Sequence, residues 1–237
     1  MEPTQKATKR TELQMARSMC WHCQSEITGE YFCDQCVKVQ PLSKELDYFA
    51  CLGLPRLLTI DPHVIESKFY ELSRVFHPDF YQQKTRTEQS ISLGNAALLN
   101  TAYRTLKDPI QRAEYLLKLE AGSAKDIRNS PPADLFEEIL SLQEDLEEFR
   151  SLQPDDTAAS ERLHEKLKTS RDSLERRQKT MDAELYELFG KWDSLQQRRD
   201  GGALKAEKDS ILKQMRGILS NRTYLNNIVD DLVATTG

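Results

Sequence analysis

Nine residues, Leu163, Leu167, Ser170, Leu174, Met181, Leu185, Leu188, Trp192 and Leu195, recur at steps of three, four or seven. That spacing places them on one face of a single long helix, of the kind that packs in a bundle. Gly201-Gly202 ends the run, and a second stripe follows with Leu204, Ile211, Met215, Ile218, Leu225, Ile228 and Leu232. Ahead of it, Phe136, Leu140, Leu142 and Leu146 lie in a glutamate-rich helix that opens after Ser130-Pro131-Pro132 and breaks at Pro154-Asp155-Asp156. Three helices with two sharp breaks predict an antiparallel three-helix bundle over residues 130–235. Most of these apolar positions read as core.

Residues 45–120 carry a second pattern. Asp61-Pro62 predicts an N-cap followed by proline in the first turn. Behind it Ile65, Phe69, Leu72 and Phe76 share a helical face, and Pro78 ends the helix. A polar stretch from Asp79 to Gln89 separates it from a helix with Leu99, Ala102 and Leu106 inward. Asp108-Pro109 stops that one and starts another, with Ala113, Leu116 and Leu117 apolar. The simplest packing is two antiparallel helices joined by a loop at Pro78. Strand-like alternation is scarce throughout, so the fold class predicted is mainly α.

Residues 20–40 contain Cys20-x-x-Cys23 and Cys33-x-x-Cys36, with nine residues between the pairs. Each pair lets two thiolates reach one ion from a tight turn, and four sulfurs at tetrahedral corners suit a closed structural zinc site. The same thiolates would also hold iron. Disulfides would need an oxidising compartment, and redox thiols fit two adjacent pairs less well than a metal does. His22 is not needed as a ligand, and Cys51 falls outside the pattern as a small buried residue. A closed four-sulfur site leaves no position for substrate. Its metal would supply folding free energy to a segment too short to bury a core.

Composition narrows the functions. Charged residues make up 30% of the 237-residue chain against 38% apolar, and the net charge is −5 without long single-sign runs. That balance argues against nucleic-acid binding, which needs concentrated Lys and Arg. No apolar stretch approaches the roughly 18 residues needed to cross a bilayer. Residues 1–19 read as a flexible tail on a cytoplasmic, bacterial protein. Lys6, Lys9, Arg10 and Arg17 give that tail a basic bias compatible with targeting to the mitochondrial matrix in a eukaryote, against which Glu2 and Glu12 count. No phosphate loop or nucleophile motif supports an enzyme, and His63 and His164 read as surface residues of helices.

His77-Pro78-Asp79 falls where the first helix of the hairpin stops. Proline fixes the turn, so the imidazole and carboxylate face solvent. An isolated tripeptide of this kind is also an ordinary helix-ending turn; its place between two antiparallel helices, after Lys68 and Arg74, is what singles it out. Here the sequence resembles the J-domain family, and within it HscB. Asp47-Tyr48-Phe49 and Leu52-Gly53-Leu54-Pro55 look like the HscB start. Asn100, Ala102, Tyr103, Thr105 and Leu106 are similar to its third J-domain helix, and Pro109 with Arg112 to Leu117 to its fourth. The cysteine cluster ending in Gln40-Pro41 resembles the metal-binding extension of some members.

The resemblance implies a co-chaperone and not an enzyme. It would deliver an IscU-type iron–sulfur scaffold to an HscA/DnaK-class chaperone, stimulate that chaperone's ATPase and so promote cluster transfer. On this resemblance His77, Pro78 and Asp79 contact the chaperone, while Lys68 and Arg74 attract its acidic face. The segment Leu135 to Glu147 resembles the scaffold-binding helix, with Phe136 and Leu140 as apolar contacts and Glu144 and Glu148 as acidic ones. Tyr224 matches an aromatic position on the last helix and is implied as a further scaffold contact. Ser141 stands where the family usually carries glutamate, and Glu137 where it often carries an apolar residue. For Phe136 and Leu140 the alternative reading is bundle core. Two rival functions remain: a J-protein for another client recruited by the cysteine knuckle, and a zinc-knuckle coiled-coil nucleic-acid binder.

Overall fold

A computed structural model describes residues 19–27, 31–43, 45–120, 135–153, 156–198 and 202–236. Residues 1–18 of the expected tail, the Ser130-Pro131-Pro132 helix start, and Pro154, Asp155 and Gly201 of the two breaks lie outside those residues. The described residues are mainly α, as the spacing predicts, and no helix among them is long and apolar enough to cross a membrane. Packing divides the chain into two units: residues 1–55 with 61–107, and residues 56–60 with 108–237.

The first unit contains a short helix α1 (Tyr48–Cys51), α2 (Pro62–Phe76), a tight 3₁₀ turn (Pro78–Tyr81) and α3 (Arg86–Lys107). Asp61 caps α2 by accepting from the His63 N–H at 2.9 Å. Thr85 and Glu88 cap the start of α3 reciprocally. The Glu88 N–H donates to Thr85 Oγ1 at 3.3 Å, and the Thr85 N–H donates to Glu88 Oε2 at 3.2 Å. Helices α2 and α3 run antiparallel. Ser92 Oγ donates to the Phe76 carbonyl at 2.8 Å near the loop, and the Phe69 and Tyr103 rings stack at 4.3 Å further down. Ile65, Leu72, Phe76, Leu99, Ala102 and Leu106 are buried, while Phe69 keeps partial exposure beneath its stack.

The second unit contains α4 (Pro109–Glu120), α5 (Phe136–Ser151), α6 (Thr157–Gln197) and α7 (Gly202–Thr236). The predicted stripe of α6 is buried at every position except Ser170, which is half-buried, and Phe189 joins it. On α7 Leu219 is fully buried, and Ile218 packs half-buried against the core beside it. On α5 the buried residues are Ile139, Leu142, Asp145 and Leu146. Phe136 and Leu140 point outward, so the core reading does not hold for them. Three ion pairs lace these helices: Lys166–Asp145 at 2.7 Å, Arg222–Asp182 at 2.6 Å and Arg150–Asp231 at 2.6 Å.

This unit holds more than the three helices expected over 130–235. At about 1.5 Å per residue, α5 is about 24 Å long and α6 about 62 Å, so α5 cannot cover the far half of α6. Segment 56–60 covers part of it. The Leu58 and Thr59 N–H groups donate to the two Asp193 carboxylate oxygens at 2.7 Å each, and Trp192 Nε1 donates to the Arg56 carbonyl at 3.4 Å. Buried Arg112 of α4 donates through Nε to the Leu58 carbonyl at 3.0 Å, and α4 packs on α7. Periodicity marks Ala113, Leu116 and Leu117 as an apolar face but cannot say against what. That is why packing groups α4 with the second unit although the sequence reads it within 45–120. Trp192 is fully buried, so Trp192→Ala should lower stability by about 3–5 kcal/mol, checked by urea unfolding monitored at 222 nm.

Candidate functional site

At the end of α2 the backbone of His77 turns extended (φ −60°, ψ 126°), because the following proline excludes the helical conformation there. Pro78 then opens the 3₁₀ turn, and the Phe80 N–H donates back to the His77 carbonyl at 3.0 Å. His77 Nδ1 accepts from the Asp79 N–H at 3.3 Å, and Gln82 Nε2 donates to Asp79 Oδ1 at 3.2 Å. These contacts orient the imidazole and carboxylate while leaving them in water: their side chains are 53% and 69% exposed. Beneath the loop, Tyr81 donates through its hydroxyl to the Val75 carbonyl at 3.0 Å and is buried. Burial, with Glu88 nearby, pushes its phenol pKa up.

His77, Pro78 and Asp79 line one depression with Arg74, Tyr70, Phe80 and Leu93. Arg74 is exposed and has no ion-pair partner among the described residues. Lys68 is placed differently: it pairs with Glu71 at 2.9 Å and borders a separate hollow beside α1. The structure therefore brings Arg74 to the loop and leaves Lys68 apart. Sequence reasoning missed Tyr70, Phe80 and Leu93, all large apolar residues more than half exposed. The signal was present at Tyr70, which sits one position off the α2 core stripe.

The four predicted cysteines meet. Their sulfurs all lie within 4.8 Å of one another, with Cys20–Cys36 and Cys23–Cys33 at 3.6 Å each. A tetrahedron with metal–sulfur arms of about 2.3 Å has edges of about 3.8 Å, so the donor set fits one metal ion. Two near-identical turns build it. The Gln24 N–H donates to the Cys20 carbonyl at 3.0 Å and the Val37 N–H to that of Cys33 at 2.8 Å. Gln24 and Val37 both take left-handed backbone angles, φ 58° and 56°. Hydrogen bonding from Ser25 lowers the Cys33 thiol to about 6, whereas burial, with the neighbouring thiols, pushes Cys36 up to about 12. Four crowded thiols resist losing all their protons unaided, and a bound cation removes that resistance. Cys51 is buried elsewhere, its thiol raised to about 11 by desolvation, as a small core residue would be. His22, His63 and His164 are exposed.

The knuckle rests on the helical hairpin. Tyr31 packs edge-on against Phe76 with ring centroids at 5.4 Å, and Lys38 Nζ donates to both Glu88 oxygens at 3.1 Å. Burial alone would raise the Glu88 carboxyl; the Thr85 hydrogen bonds and the Lys38 ammonium outweigh it and hold the pKa below its ordinary value. Asn95 accepts from the Leu42 N–H and donates to the Gln40 carbonyl, both at 2.9 Å.

On α5, Phe136, Leu140, Glu144 and Glu148 follow one another at four-residue steps and are all exposed, Phe136 at 57% and Leu140 at 49%. Ser141 and Glu137 are exposed on the same helix. Tyr224 does not stand out in this way: it is half-buried against a core of Ile139, Leu142, Leu146 and their neighbours.

No family model matches the chain. Individual relatives do. The iron–sulfur cluster co-chaperone HscB of Mus musculus is 31% identical over 137 residues, 56% of this chain and 58% of that protein. The Arabidopsis thaliana homologue is 31% identical over 158 residues, 65% of this chain and 61% of its own length. The chain thus spans about three-fifths of these two relatives. The co-chaperone HscB of Proteus mirabilis is 30% identical over 174 residues, which is 72% of this chain and 98% of that protein. The crystal structure of human HscB has the same fold, with a TM-score of 0.63 at 24% identity over 92% of this chain and 98% of that one. With nearly the whole Proteus protein matched, the chain belongs to the HscB co-chaperone family.

Proposed function

We propose that this protein is an adaptor in iron–sulfur cluster assembly. It binds an IscU-type scaffold through α5, presents it to an HscA/DnaK-class chaperone, and stimulates that chaperone's ATPase through His77-Pro78-Asp79. The observation that carries the reading is the loop itself: an imidazole and a carboxylate held in fixed orientation, in water, at the exposed end of a helical hairpin. Such a loop has no bond to offer a substrate, but it can enter a partner's polar cleft without first being ordered, which reduces the entropic cost of docking. Arg74 supplies the positive charge beside it, and Tyr70, Phe80 and Leu93 supply apolar area. Lys68, paired with Glu71 and bordering a separate hollow, contributes less.

Phe136 and Leu140 support the second contact. Two large apolar side chains on a solvated helix face, continued by Glu144 and Glu148, suit a client with an apolar patch next to basic residues. Tyr224 is assigned to packing that holds α7 against α5. Phe136→Ala and Leu140→Ala should each weaken scaffold binding by about 1–2 kcal/mol, and Tyr224→Phe should leave it nearly unchanged. Isothermal titration with a purified IscU-type scaffold checks all three; undiminished affinity in the double variant Phe136→Ala/Leu140→Ala would place the scaffold elsewhere. The four cysteines are assigned a structural zinc ion.

A further inference from the structure

The metal knuckle and the chaperone-facing loop share a floor. We infer that metal binding at Cys20, Cys23, Cys33 and Cys36 fixes the conformation of the His77–Tyr81 loop, with Tyr31, Lys38 and Gln40 as the positioning residues that connect the two. This rests on the reading of that loop as the ATPase trigger, and gives the knuckle a part in it.

Three contacts tie the knuckle to the hairpin: two reach residues that flank the loop, and the third holds the knuckle on α3. In the first, Tyr31, two residues before Cys33, packs its ring edge-on against Phe76, the buried residue directly before His77. In the second, the Lys38 carbonyl receives the Cys33 N–H at 2.9 Å, so the main chain of Lys38 is part of a metal turn. Its ammonium holds Glu88, which is only 4% exposed and caps α3 through Thr85, just past the loop. The next residue, Gln89, donates through Nε2 to the Gln82 and Lys84 carbonyls at 3.0 Å each and so ties down the far side of the loop. In the third, Gln40 Nε2 donates to Cys20 Sγ at 3.4 Å and to the Lys38 carbonyl at 2.7 Å, while the Gln40 carbonyl takes the buried Asn95 amide of α3.

All three links depend on the two cysteine turns keeping their shape. Gln24 and Val37 hold left-handed angles, unfavourable for a β-branched residue such as Val37, and a segment this small lacks a core to enforce them. The metal supplies that enforcement. Without it, Lys38 and Tyr31 lose their fixed origin, and Glu88 is left buried with its cation freed to wander.

Hydrogen–deuterium exchange on the full chain tests this, comparing zinc-loaded protein with protein stripped by a chelator. The amides to follow are those of Phe80 and Lys84, bonded to the His77 and Tyr81 carbonyls, with amides in residues 163–195 as the control. Metal removal should speed exchange in residues 77–89 by about tenfold, the size of one charge-assisted hydrogen bond lost, and leave the control unchanged. Lys38→Met, with its zinc content verified, should shift the same segment in the same direction. Coupling is reciprocal, so Glu88→Gln, which touches no cysteine, should lower zinc affinity by a similar factor, read by equilibrium competition with a colorimetric chelator. Unchanged exchange at 77–89 after stripping, an equal rise across all of residues 62–107, or unchanged zinc affinity of Glu88→Gln would each overturn the inference. ATPase stimulation is measured separately: its absence in a chain that shows the coupling would strike down the chaperone reading and leave the brace standing.

Discussion

Asp79→Asn should remove most of the stimulation of an HscA/DnaK-class ATPase while leaving scaffold affinity intact. The substitution keeps size and shape, so the loop has no steric reason to change, and Asn still offers an oxygen to Gln82 Nε2. What disappears is a carboxylate that is 69% exposed and held by its neighbours in one orientation. If that charge enters a polar cleft of the chaperone, its loss removes a hot-spot contact, about 2 kcal/mol or about 30-fold in the concentration needed for half-maximal stimulation. Single-turnover ATP hydrolysis with increasing co-chaperone reads this directly. Scaffold binding by the same variant, measured by titration, should stay within about twofold of the unsubstituted protein, because α5 lies in the other packing unit.

Metal removal should have the largest structural effect. Binding free energies of about 10–16 kcal/mol are typical where four thiolates close on a zinc ion, more than a segment spanning residues 20–40 can recover from its own burial. Chelation, or Cys20→Ser, should therefore unfold the knuckle while α5, α6 and α7 remain. Near-ultraviolet circular dichroism should lose the contribution of Trp21, whose indole Nε1 donates to the Val39 carbonyl at 2.7 Å, and the 222 nm signal should fall only slightly. A coincident loss of both signals would mean that the knuckle holds the helices together as well.

Much of this architecture could be read from spacing. The α6 stripe, the Asp61-Pro62 and Asp108-Pro109 helix starts and the meeting of four cysteines all depend on local rules: period, proline and short-range ligand geometry. In each case the residues that decide the outcome are close in the chain. Partner choice between distant faces was not legible. Ala113, Leu116 and Leu117 announce a buried face, yet only the mismatch between a short α5 and a long α6 explains why α4 and segment 56–60 join the second unit. The outward turn of Phe136 and Leu140 follows from Ile139 and Leu142 taking the inward positions, a rotation of the helix that four apolar residues in sequence leave ambiguous. Lys68 and Arg74 look equivalent as basic residues of one helix. They differ because Lys68 pairs with Glu71, three residues after it, whereas Arg74 lines the depression beside the loop.

The adaptor reading requires both contacts on one chain, because tethering raises the effective concentration of scaffold at the chaperone. The direct measurement is chaperone ATPase rate with scaffold present, comparing the unsubstituted protein with an equimolar mixture of Asp79→Asn and Phe136→Ala/Leu140→Ala. Each variant in that mixture keeps one contact and lacks the other. The unsubstituted protein should stimulate more with scaffold than without it, and the mixture should show no such gain at any concentration below saturation. A mixture that restores the full scaffold-dependent rate would show that the two contacts work independently, and would contradict the adaptor.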